Sequence, residues 1–310
     1  MILTVTPNPS IDKAILVPGY RLGGIHRPER VVAVAGGKGL NVSRTIKQLG
    51  GEVRACVLLA GHNGHWIEEQ LAGEEIPASI AWAEGETRSC YSVIDPLNRQ
   101  LTEVYEKGPT IDLATWRKFE SVFEASLVGA NWVALSGSLP PGAPQDSYAR
   151  LHQLAHAQGV PVLVDTHGDP LRQVLNLNPW LIKLNAAEAG ELLGEEIDSL
   201  AKAVAALQKL RQIGASSAVI TLGVDGAVAG DAAGVWVASP PPVEALAPVG
   251  SGDAFFGGLI LGIARGISFP DALRLGTAAG AANTQTLGTG LVEKSLVIAL
   301  VEKVQVKPYD

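Results

Sequence analysis

Three features are scarce in this sequence, and each scarcity excludes a class of protein. Only two of the 310 residues are cysteines, Cys56 and Cys90, too few for a disulfide framework and typical of a reducing compartment. The longest apolar stretch, residues 254–264, is interrupted by glycines and is far below the ~20 residues of a membrane span. Basic runs are absent, and the net charge is −7. The sequence therefore predicts neither a nucleic-acid partner nor a membrane partner.

What is present indicates a globular protein with a large core. Hydrophobic residues make up 47% of the chain and charged residues 18%, a balance that excludes a disordered protein. The first ten residues (MILTVTPNPS) are a short apolar run that ends in prolines, without the basic start and long apolar segment of a signal peptide. We therefore expect a soluble, cytoplasmic protein.

Apolar strands alternate with helices along most of the chain. This alternation predicts an α/β fold with a mostly parallel central sheet flanked by helices. Strands are predicted at 2–6, 53–59, 132–135, 160–164, 181–184 and 218–222, and helices at 40–49, 113–127, 148–158 and 198–213. Asp198 is the predicted N-cap of the last of these helices.

Two stretches, approximately 13–34 and 86–107, are strand-like but have no helix after them. The second contains residues 96–99 (PLNR), which are typical of a hairpin turn between two strands. We predict that the two stretches form a small β-sheet lid on one edge of a single domain that spans residues 1–310. A further hairpin is predicted after Gly226, ending at the prolines of residues 240–242.

A glycine-rich segment near the C-terminus, residues 250–258 (GSGDAFFGG), opens an apolar helix. Glycines before a helix let backbone N–H groups converge, and the start of a helix attracts anions. Asp253 would repel a phosphate bound there, unless it accepts the proton of a hydroxyl that attacks that phosphate. The alternative is that Asp253 simply caps the helix.

A second glycine-rich segment, residues 36–41 (GGKGLN), precedes the first predicted helix. Lys38 can reach an anionic group, and the Asn41 amide can both donate to and accept from hydroxyls. Asp12 follows the first strand, at the end where α/β sheets collect ligand-binding residues. The alternative is a glycine turn with a solvated lysine and a turn aspartate. Neither a Walker-A loop nor a dinucleotide-binding G-x-G-x-x-G motif is present, so these two nucleotide-binding patterns are excluded.

Four motifs in order resemble the PfkB (ribokinase-like) carbohydrate kinase family over essentially the whole chain. They are residues 36–41, 183–188 (KLNAAE), 221–223 (TLG) and 249–253 (VGSGD). Within that family, the chain is most similar to the tagatose-6-phosphate kinase and 1-phosphofructokinase group, on residues 6–12 (TPNPSID), 86–88 (ETR), 108–110 (GPT) and 136–140 (SGSLP). Residues 88–90 (RSC) look more like tagatose-6-phosphate kinases, because 1-phosphofructokinases usually carry asparagine at the position of Cys90.

The resemblance implies a ribokinase-like fold, ATP as co-substrate, Mg²⁺ and a set of site residues. Asp253 would be the general base, with Gly250, Ser251 and Gly252 as the anion hole. The substrate would contact Asp12, Gly37, Lys38, Asn41, Arg88 and Arg27, with Lys38, Arg88 and Arg27 on its phosphate. ATP would contact Lys183, Asn185, Thr221, Gly223 and Gly226. Glu188 and Asn185 would face Mg²⁺ through water.

The implied reaction is transfer of the γ-phosphate of ATP to a primary hydroxyl of tagatose-6-phosphate or fructose-1-phosphate, giving a 1,6-bisphosphate. The alternatives are a kinase of a neutral sugar or nucleoside, a non-catalytic sugar-phosphate sensor, and an oxidoreductase with a nucleotide cofactor. The cations at Lys38 and Arg88 count against a neutral substrate, and Asp253 with the Asn185–Glu188 pair counts against a sensor. Because lid strands have exposed edges, we also expect a homodimer formed through the lid.

Overall fold

The computed structural model describes residues 1–309, which form fourteen strands, ten helices and a single 3₁₀ turn. The strands are β1 (Ile2–Thr6), β2 (Ser10–Leu16), β3 (Arg30–Gly36), β4 (Val53–Ala60), β5 (Ala78–Ala83), β6 (Arg88–Asp95), β7 (Gln100–Tyr105), β8 (Trp132–Ser136), β9 (Val162–Asp165), β10 (Leu181–Asn185), β11 (Ser217–Thr221), β12 (Ala227–Asp231), β13 (Gly234–Ser239) and β14 (Gln305–Pro308). The helices are α1 (Lys38–Gln48), α2 (Gly61–Gly73), α3 (Leu113–Ser126), α4 (Ser147–Ala157), α5 (Gly168–Leu175), α6 (Ala186–Leu193), α7 (Leu200–Gln212), α8 (Ser251–Ala264), α9 (Phe269–Asn283) and α10 (Lys294–Val301).

Ten strands form the central sheet, in the order β14-β13-β12-β11-β10-β9-β8-β1-β4-β5. All pairs from β11 to β5 are parallel, and the pairs that join β12, β13 and β14 to this body are antiparallel. Apart from the edge strand β5, the parallel strands are buried along most of their length, as expected for a sheet that is covered on both faces. The predicted α/β fold with a mostly parallel sheet flanked by helices is therefore confirmed.

Two hydrophobic cores cover the two faces of the central sheet. On one face, α1, α8 and α9 contribute Leu40, Phe256 and Leu273, all fully buried. On the other face, the aromatic residues of α3 and the start of α4 pack together, among them Trp116 and Tyr148. Because every strand from β8 to β11 is fixed from both sides, the carboxyl ends of these strands form a rigid edge.

The remaining four strands form a small separate sheet in the order β3-β2-β6-β7. β2 and β6 are parallel, and the outer two strands pair antiparallel with them. The predicted small β-sheet is thus present, and its β6–β7 hairpin turns at the predicted residues, where Arg99 adopts a positive φ of 51°. That this sheet acts as a lid on a single domain of residues 1–310 stays a prediction.

The predicted cap of α7 is wrong by one residue. Ser199 is the N-cap, and its hydroxyl accepts a hydrogen bond from the backbone N–H of Lys202. Asp198 lies one residue before the helix and forms an ion pair with the Lys202 ammonium at 2.7 Å. Serine and aspartate are both favoured caps, so composition does not separate two adjacent candidates.

Within residues 1–309, no helix combines the length and the apolar character that crossing a bilayer requires.

Candidate active site

A cavity of about 990 Å³ opens between the carboxyl ends of the central strands and the inner face of the small sheet. It is lined by every predicted site residue except Arg27. The residues that the cavity brings together are Asp12, Gly37, Lys38, Asn41, Arg88, Lys183, Asn185, Glu188, Thr221, Gly223, Gly226, Gly250, Ser251, Gly252 and Asp253. Segments from both ends of the chain therefore build one site.

The N-terminus of α8 faces this cavity, and its position depends on glycine. Gly250 is the N-cap with a φ of 80°, and a Cβ there would lie 2.7 Å from the Cα of Thr289. A Cβ at Gly252 would lie 3.1 Å from the Nζ of Lys183, so the ammonium stands beside the first turn of the helix. Amide groups at a helix start and a lysine directed to the same point form a site for an anionic group.

Asp253 lies in the first turn of α8 and is 8% exposed. The Nδ2 of Asn41 donates a hydrogen bond to its Oδ2 at 2.9 Å. Burial, followed by the negative charge of Asp165, raises the pKa of Asp253 to about 7, although Lys38, Lys183 and the Asn41 amide oppose this rise. A carboxylate with a pKa near neutrality can accept a proton and release it again, as a general base must.

Asp165, which was not among the predicted site residues, holds two lysines at the floor of the cavity. Its carboxylate is fully buried at the end of β9, with Lys38 Nζ 2.8 Å from Oδ1 and Lys183 Nζ 2.9 Å from Oδ2. Burial disfavours its charge, but the two ammonium groups outweigh burial and lower the pKa of Asp165. The only sequence signal was its place at the carboxyl end of an apolar strand.

Lys38 lies at the start of α1, between two acidic residues. Its Nζ is also 3.1 Å from Glu188 Oε1, and although burial opposes its charge, Asp165 and Glu188 raise the pKa of Lys38. Both carboxylates come from the β9 and β10–α6 region of the central sheet and not from the small sheet. Lys38 lines the cavity, and its predicted role as a ligand of a phosphate on the substrate stays a prediction.

Asn185 and Glu188 form a capping box at the start of α6. The Asn185 side chain accepts from the Glu188 N–H at 2.8 Å, and Glu188 Oε2 accepts from the Asn185 N–H at 2.9 Å. The box fixes both side chains at the cavity wall. The sequence pattern predicted their proximity, because residues three apart meet at a helix start.

The sugar-side residues lie where β2 and α1 meet the cavity. Asp12 accepts from the Ser10 hydroxyl at 2.6 Å and the Gly37 N–H at 3.3 Å, and its Oδ2 lies 3.1 Å from Thr289 Oγ1. Asn41 Nδ2 is 3.5 Å from the same Oδ2. Asp12 and Asp253 are therefore joined through Asn41.

Arg88 is the cation that the small sheet contributes to the cavity. Its guanidinium donates to the carbonyl oxygens of Asn8 at 3.0 Å, Glu106 at 3.2 Å and Pro9 at 3.4 Å. These contacts fix the head group at the base of β6, and the guanidinium has further N–H donors for a ligand. Arg27 lies outside the cavity, exposed in the loop between β2 and β3, and its predicted contact with the substrate stays a prediction.

The opposite end of the cavity is mostly apolar. Thr221, Gly223 and Gly226 lie at the end of β11 and in the turn that follows it. Residues 240–242 (PPP) and Val243 also line this end, and Pro240 lies directly beside Gly226. The cavity therefore has a charged centre between a polar end under the small sheet and an apolar end.

An α/β sheet with a buried aspartate at a glycine-rich helix start, facing a small β-sheet, is the arrangement that the resemblance to ribokinase-like carbohydrate kinases implied. A profile described as pfkB family carbohydrate kinase matches residues 6–295. The chain belongs to this family, and the resemblance that the four motifs indicated is confirmed.

Solved structures with the same fold include several phosphofructokinases. Phosphofructokinase-2 from Escherichia coli in complex with substrates and products is 29% identical over 97% of this chain and 98% of that chain, with a TM-score of 0.90. The tetrameric inhibited form of that enzyme is 30% identical over the same shares, with a TM-score of 0.88. A possible 1-phosphofructokinase from Thermotoga maritima, 24% identical over 100% of both chains, has a TM-score of 0.91 and supports the fold.

Proposed function

We propose that the protein is an ATP-dependent phosphosugar kinase that transfers the γ-phosphate of ATP to a primary hydroxyl of a ketohexose monophosphate. The substrate would be tagatose-6-phosphate or fructose-1-phosphate, and the product a ketohexose 1,6-bisphosphate. The observation that carries this proposal is the position of Asp253, a buried carboxylate with a pKa of about 7 at an anion-binding helix start. The phosphofructokinases among the similar structures support a phosphorylated sugar as acceptor.

In the proposed reaction, the hydroxyl oxygen of the sugar attacks the γ-phosphorus while its proton moves to Asp253. One O–P bond forms to the sugar, the bond from the γ-phosphorus to the bridging oxygen breaks, and ADP leaves. Catalysis of such a transfer consists mainly of positioning and charge neutralisation. The start of α8 and the Lys183 ammonium stand where the transferring group would gain charge.

Lys38 takes a different role from the one its sequence context predicted. Because its ammonium is held by Asp165 and Glu188, we place it at the charged centre of the cavity, on the phosphates of ATP. Arg88 then remains the cation for the phosphate already on the sugar, as its position at the base of β6 suggests. The two cations serve different phosphates in this arrangement.

The residues at the charged centre fit Mg²⁺ held through water. Among residues 1–309 there is no group of three or more His, Cys, Asp or Glu side chains that could ligate a metal directly. The oxygens of Glu188 already accept hydrogen bonds from Lys38 and Asn185, and each keeps a second lone pair for a metal-bound water. Magnesium keeps several waters in such sites, and when bound it neutralises phosphate charge.

The apolar end of the cavity is where we place the nucleotide base and ribose. Thr221, Gly223 and Gly226 would contact ATP, together with the prolines of residues 240–242 that line the same end. The distance from this end to the small sheet is bridged by the lysines and the start of α8. ATP and the sugar would therefore meet at Asp253.

The test is ADP release with ATP and Mg²⁺ against a panel of acceptors: tagatose-6-phosphate, fructose-1-phosphate, fructose-6-phosphate, fructose and ribose. We expect turnover with the phosphorylated ketohexoses and little with fructose or ribose. Turnover with neutral sugars alone would contradict the proposed contact of Arg88 with a sugar phosphate, but the protein would still be a sugar kinase. A folded protein that binds ATP and turns over none of the five would favour a sugar-phosphate sensor.

A further inference from the structure

Helix α1 carries a fully buried arginine whose partners belong to the active site. Arg44 is 1% exposed and lies one helical turn after Asn41. Its Nη1 donates to Asn41 Oδ1 at 3.2 Å and to the Thr289 carbonyl oxygen at 3.1 Å, and its Nη2 donates to the Ala35 carbonyl oxygen at 2.5 Å. Its Nε lies 3.0 Å from both oxygens of Glu74, so the buried charge is paired.

The contact with Asn41 decides which way the Asn41 amide points. A guanidinium only donates hydrogen bonds, so its partner must be an acceptor. The amide oxygen can be that partner, and the amide NH₂ group cannot. With Oδ1 held by Arg44, the Nδ2 group is directed to Asp253 at 2.9 Å. The reversed amide would place its oxygen against the Asp253 carboxylate and its NH₂ group against the guanidinium.

The same guanidinium supports the loop on which the helix start rests. The carbonyl of Thr289 accepts from Arg44, and Thr289 Oγ1 lies 3.0 Å from Asn41 Oδ1. Gly250 packs directly against Thr289 and Gly290. Arg44 therefore contacts both groups that locate Asp253, namely the Asn41 amide and the loop under the N-cap of α8.

We propose that Arg44 is a positioning residue for phosphoryl transfer, which acts by fixing the orientation of the Asn41 amide and thereby the donor that faces Asp253. This inference rests on the proposed function, because it assumes Asp253 to be the base. Arg44 itself lies behind Asn41 and is not among the residues that line the cavity.

The charged groups around Asp253 give the expected sign of the effect on pH dependence. Asp165 raises the pKa of Asp253, whereas Lys38, Lys183 and the hydrogen bond from Asn41 lower it. Asp12 lies 3.5 Å from the same Nδ2 group. When the amide loses its fixed orientation, the donor is lost and the pKa of Asp253 rises further. The acidic limb of the kcat profile then moves to higher pH.

The first experiment measures kcat, both KM values and the pH profile of Arg44→Lys. Lysine keeps the charge but replaces the planar fork, so one ammonium cannot hold Asn41, Thr289, Ala35 and Glu74 together. We expect kcat at pH 7 to fall roughly 10- to 100-fold, both KM values to stay within about threefold, and the acidic limb to rise by about one pH unit. An unmoved limb with unchanged kcat would overturn the proposal.

Glu74→Gln is the matched control. It removes the charge partner of Arg44 at the surface side, contacts no cavity residue, and keeps an amide oxygen for Nε. We expect it to lower the melting temperature while leaving kcat within about twofold and the acidic limb in place. If Glu74→Gln shifts the limb as Arg44→Lys does, the effect is one of general stability and the proposal is wrong.

A double-mutant cycle tests whether Arg44 acts through Asn41. In the Asn41→Ala background, Arg44→Lys should change kcat by less than about threefold, because the amide to be oriented is gone. If the losses of kcat caused by Arg44→Lys and by Asn41→Ala multiply in the double variant, the proposal is wrong. If Arg44→Lys does not fold, Arg44→Gln gives the answer: it adds no charge near Asp253 and removes the guanidinium fork that holds Asn41, and an unmoved acidic limb with unchanged kcat would refute the proposal.

These outcomes are separate from those of the acceptor panel. All variants are assayed with the acceptor that the unmodified protein phosphorylates best. If the unmodified protein phosphorylates none, the proposed function fails before any variant is compared. If it is active and the cycle is multiplicative, only the role of Arg44 fails.

Discussion

The carboxylate of Asp253 is the single group on which the proposed chemistry depends. Replacing it in Asp253→Asn should lower kcat by roughly 10² to 10⁴, with little change in either KM, because the base acts in the transition state more than in binding. Steady-state kinetics with the best acceptor measure this. Asp271→Asn is the matched control, since Asp271 also lies in the first turn of a helix but is exposed on α9. A kcat that barely moves in Asp253→Asn would exclude Asp253 as the base.

Burial of Asp253 also makes the stability of the protein depend on pH. Its pKa is raised to about 7 in the folded state from the 3.8 of an exposed aspartate, so the protonated carboxyl is favoured by folding. The stability linked to this proton is complete below pH 4 and is lost as the pH rises through 7, by an amount on the order of 4 kcal/mol. Asp253→Asn should therefore gain stability relative to the unmodified protein between pH 5 and pH 8. Urea unfolding at both pH values measures this, and a pH-independent difference would contradict the raised pKa.

Cys90 gives a prediction about which ketohexose phosphate is preferred. It lies on the cavity side of β6, beside Asp12 of β2, and is 6% exposed. Cys90→Asn places an amide where a thiol stood, as in the 1-phosphofructokinases that the chain resembles. We expect the ratio of kcat/KM for fructose-1-phosphate over tagatose-6-phosphate to rise about tenfold. Cys56→Ala is the control, because Cys56 lies in the core away from the cavity, and it should leave the ratio unchanged. If the unmodified protein, Cys90→Asn and Cys56→Ala all have the same ratio, Cys90 does not select the substrate.

The sequence predicted single residues best where one motif contains the whole contact. Asn185 and Glu188 lie three apart, and a helix start brings them together without help from the rest of the chain. Asp165 was missed because its role depends on lysines 127 and 18 positions away. Lys38 was recognised as a site residue, but its contacts with Asp165 and Glu188 were not predicted, because a sequence does not show which carboxylates surround a lysine.

At the scale of the element, the corrected start of α7 gives a clean prediction. Ser199→Ala removes the side-chain acceptor for the Lys202 N–H and should lower the free energy of unfolding by about 1 kcal/mol. Asp198→Ala removes only an exposed ion pair and should change it by less than about 0.5 kcal/mol. Urea unfolding of the two variants decides between the two caps. A larger loss of unfolding free energy in Asp198→Ala than in Ser199→Ala would restore Asp198 as the N-cap.

The small sheet contributes a cation to the cavity from the first residue of β6. Arg88→Ala should raise KM for the phosphorylated sugar about 10- to 100-fold and leave KM for ATP unchanged, because a charged hydrogen bond to the sugar phosphate is lost. Arg30→Ala is the control, since Arg30 begins β3 of the same sheet and is exposed. A change confined to KM for ATP would place Arg88 on the nucleotide instead.

Most strands of the central sheet could be predicted because each is a continuous apolar run. α2 was not predicted, since it begins with Gly61-His62-Asn63-Gly64, residues that favour turns when considered locally. It is held in place by Ile67 and Leu71, which are buried in the core beside α1. Packing against distant residues therefore overrides weak local preference here, and a local pattern does not contain that information.

At the scale of the whole molecule, the outer face of the small sheet is where we expect a second copy to bind. We define the outer lid face as Ile15, Val31, Tyr91, Val93 and Val104, which pair across the four strands on the side away from the cavity. Val31 is 49% exposed and Val104 is 58% exposed. We expect two copies to cover these faces, as the homodimer predicted from the sequence requires.

Sedimentation velocity at micromolar protein concentration measures whether two copies associate. The unmodified protein should sediment as a dimer, and Val104→Lys should shift it to a monomer, because a buried unpaired charge would be costly in the interface. Val128→Lys, at an exposed position after α3, is the control and should remain dimeric. A monomer in all three cases would contradict assembly through the outer lid face.

The contact between Asn41 and Thr289 joins residues that are 248 positions apart, and this has a consequence for synthesis. At the usual speed of a ribosome, the later residue is made on the order of 10 to 50 seconds after the earlier one. Through most of that interval the nascent chain contains its first glycine-rich loop but not Asp253, and through all of it the chain lacks Thr289. If the proposed function holds, a polypeptide released before this point would lack part of the site and should not phosphorylate a sugar.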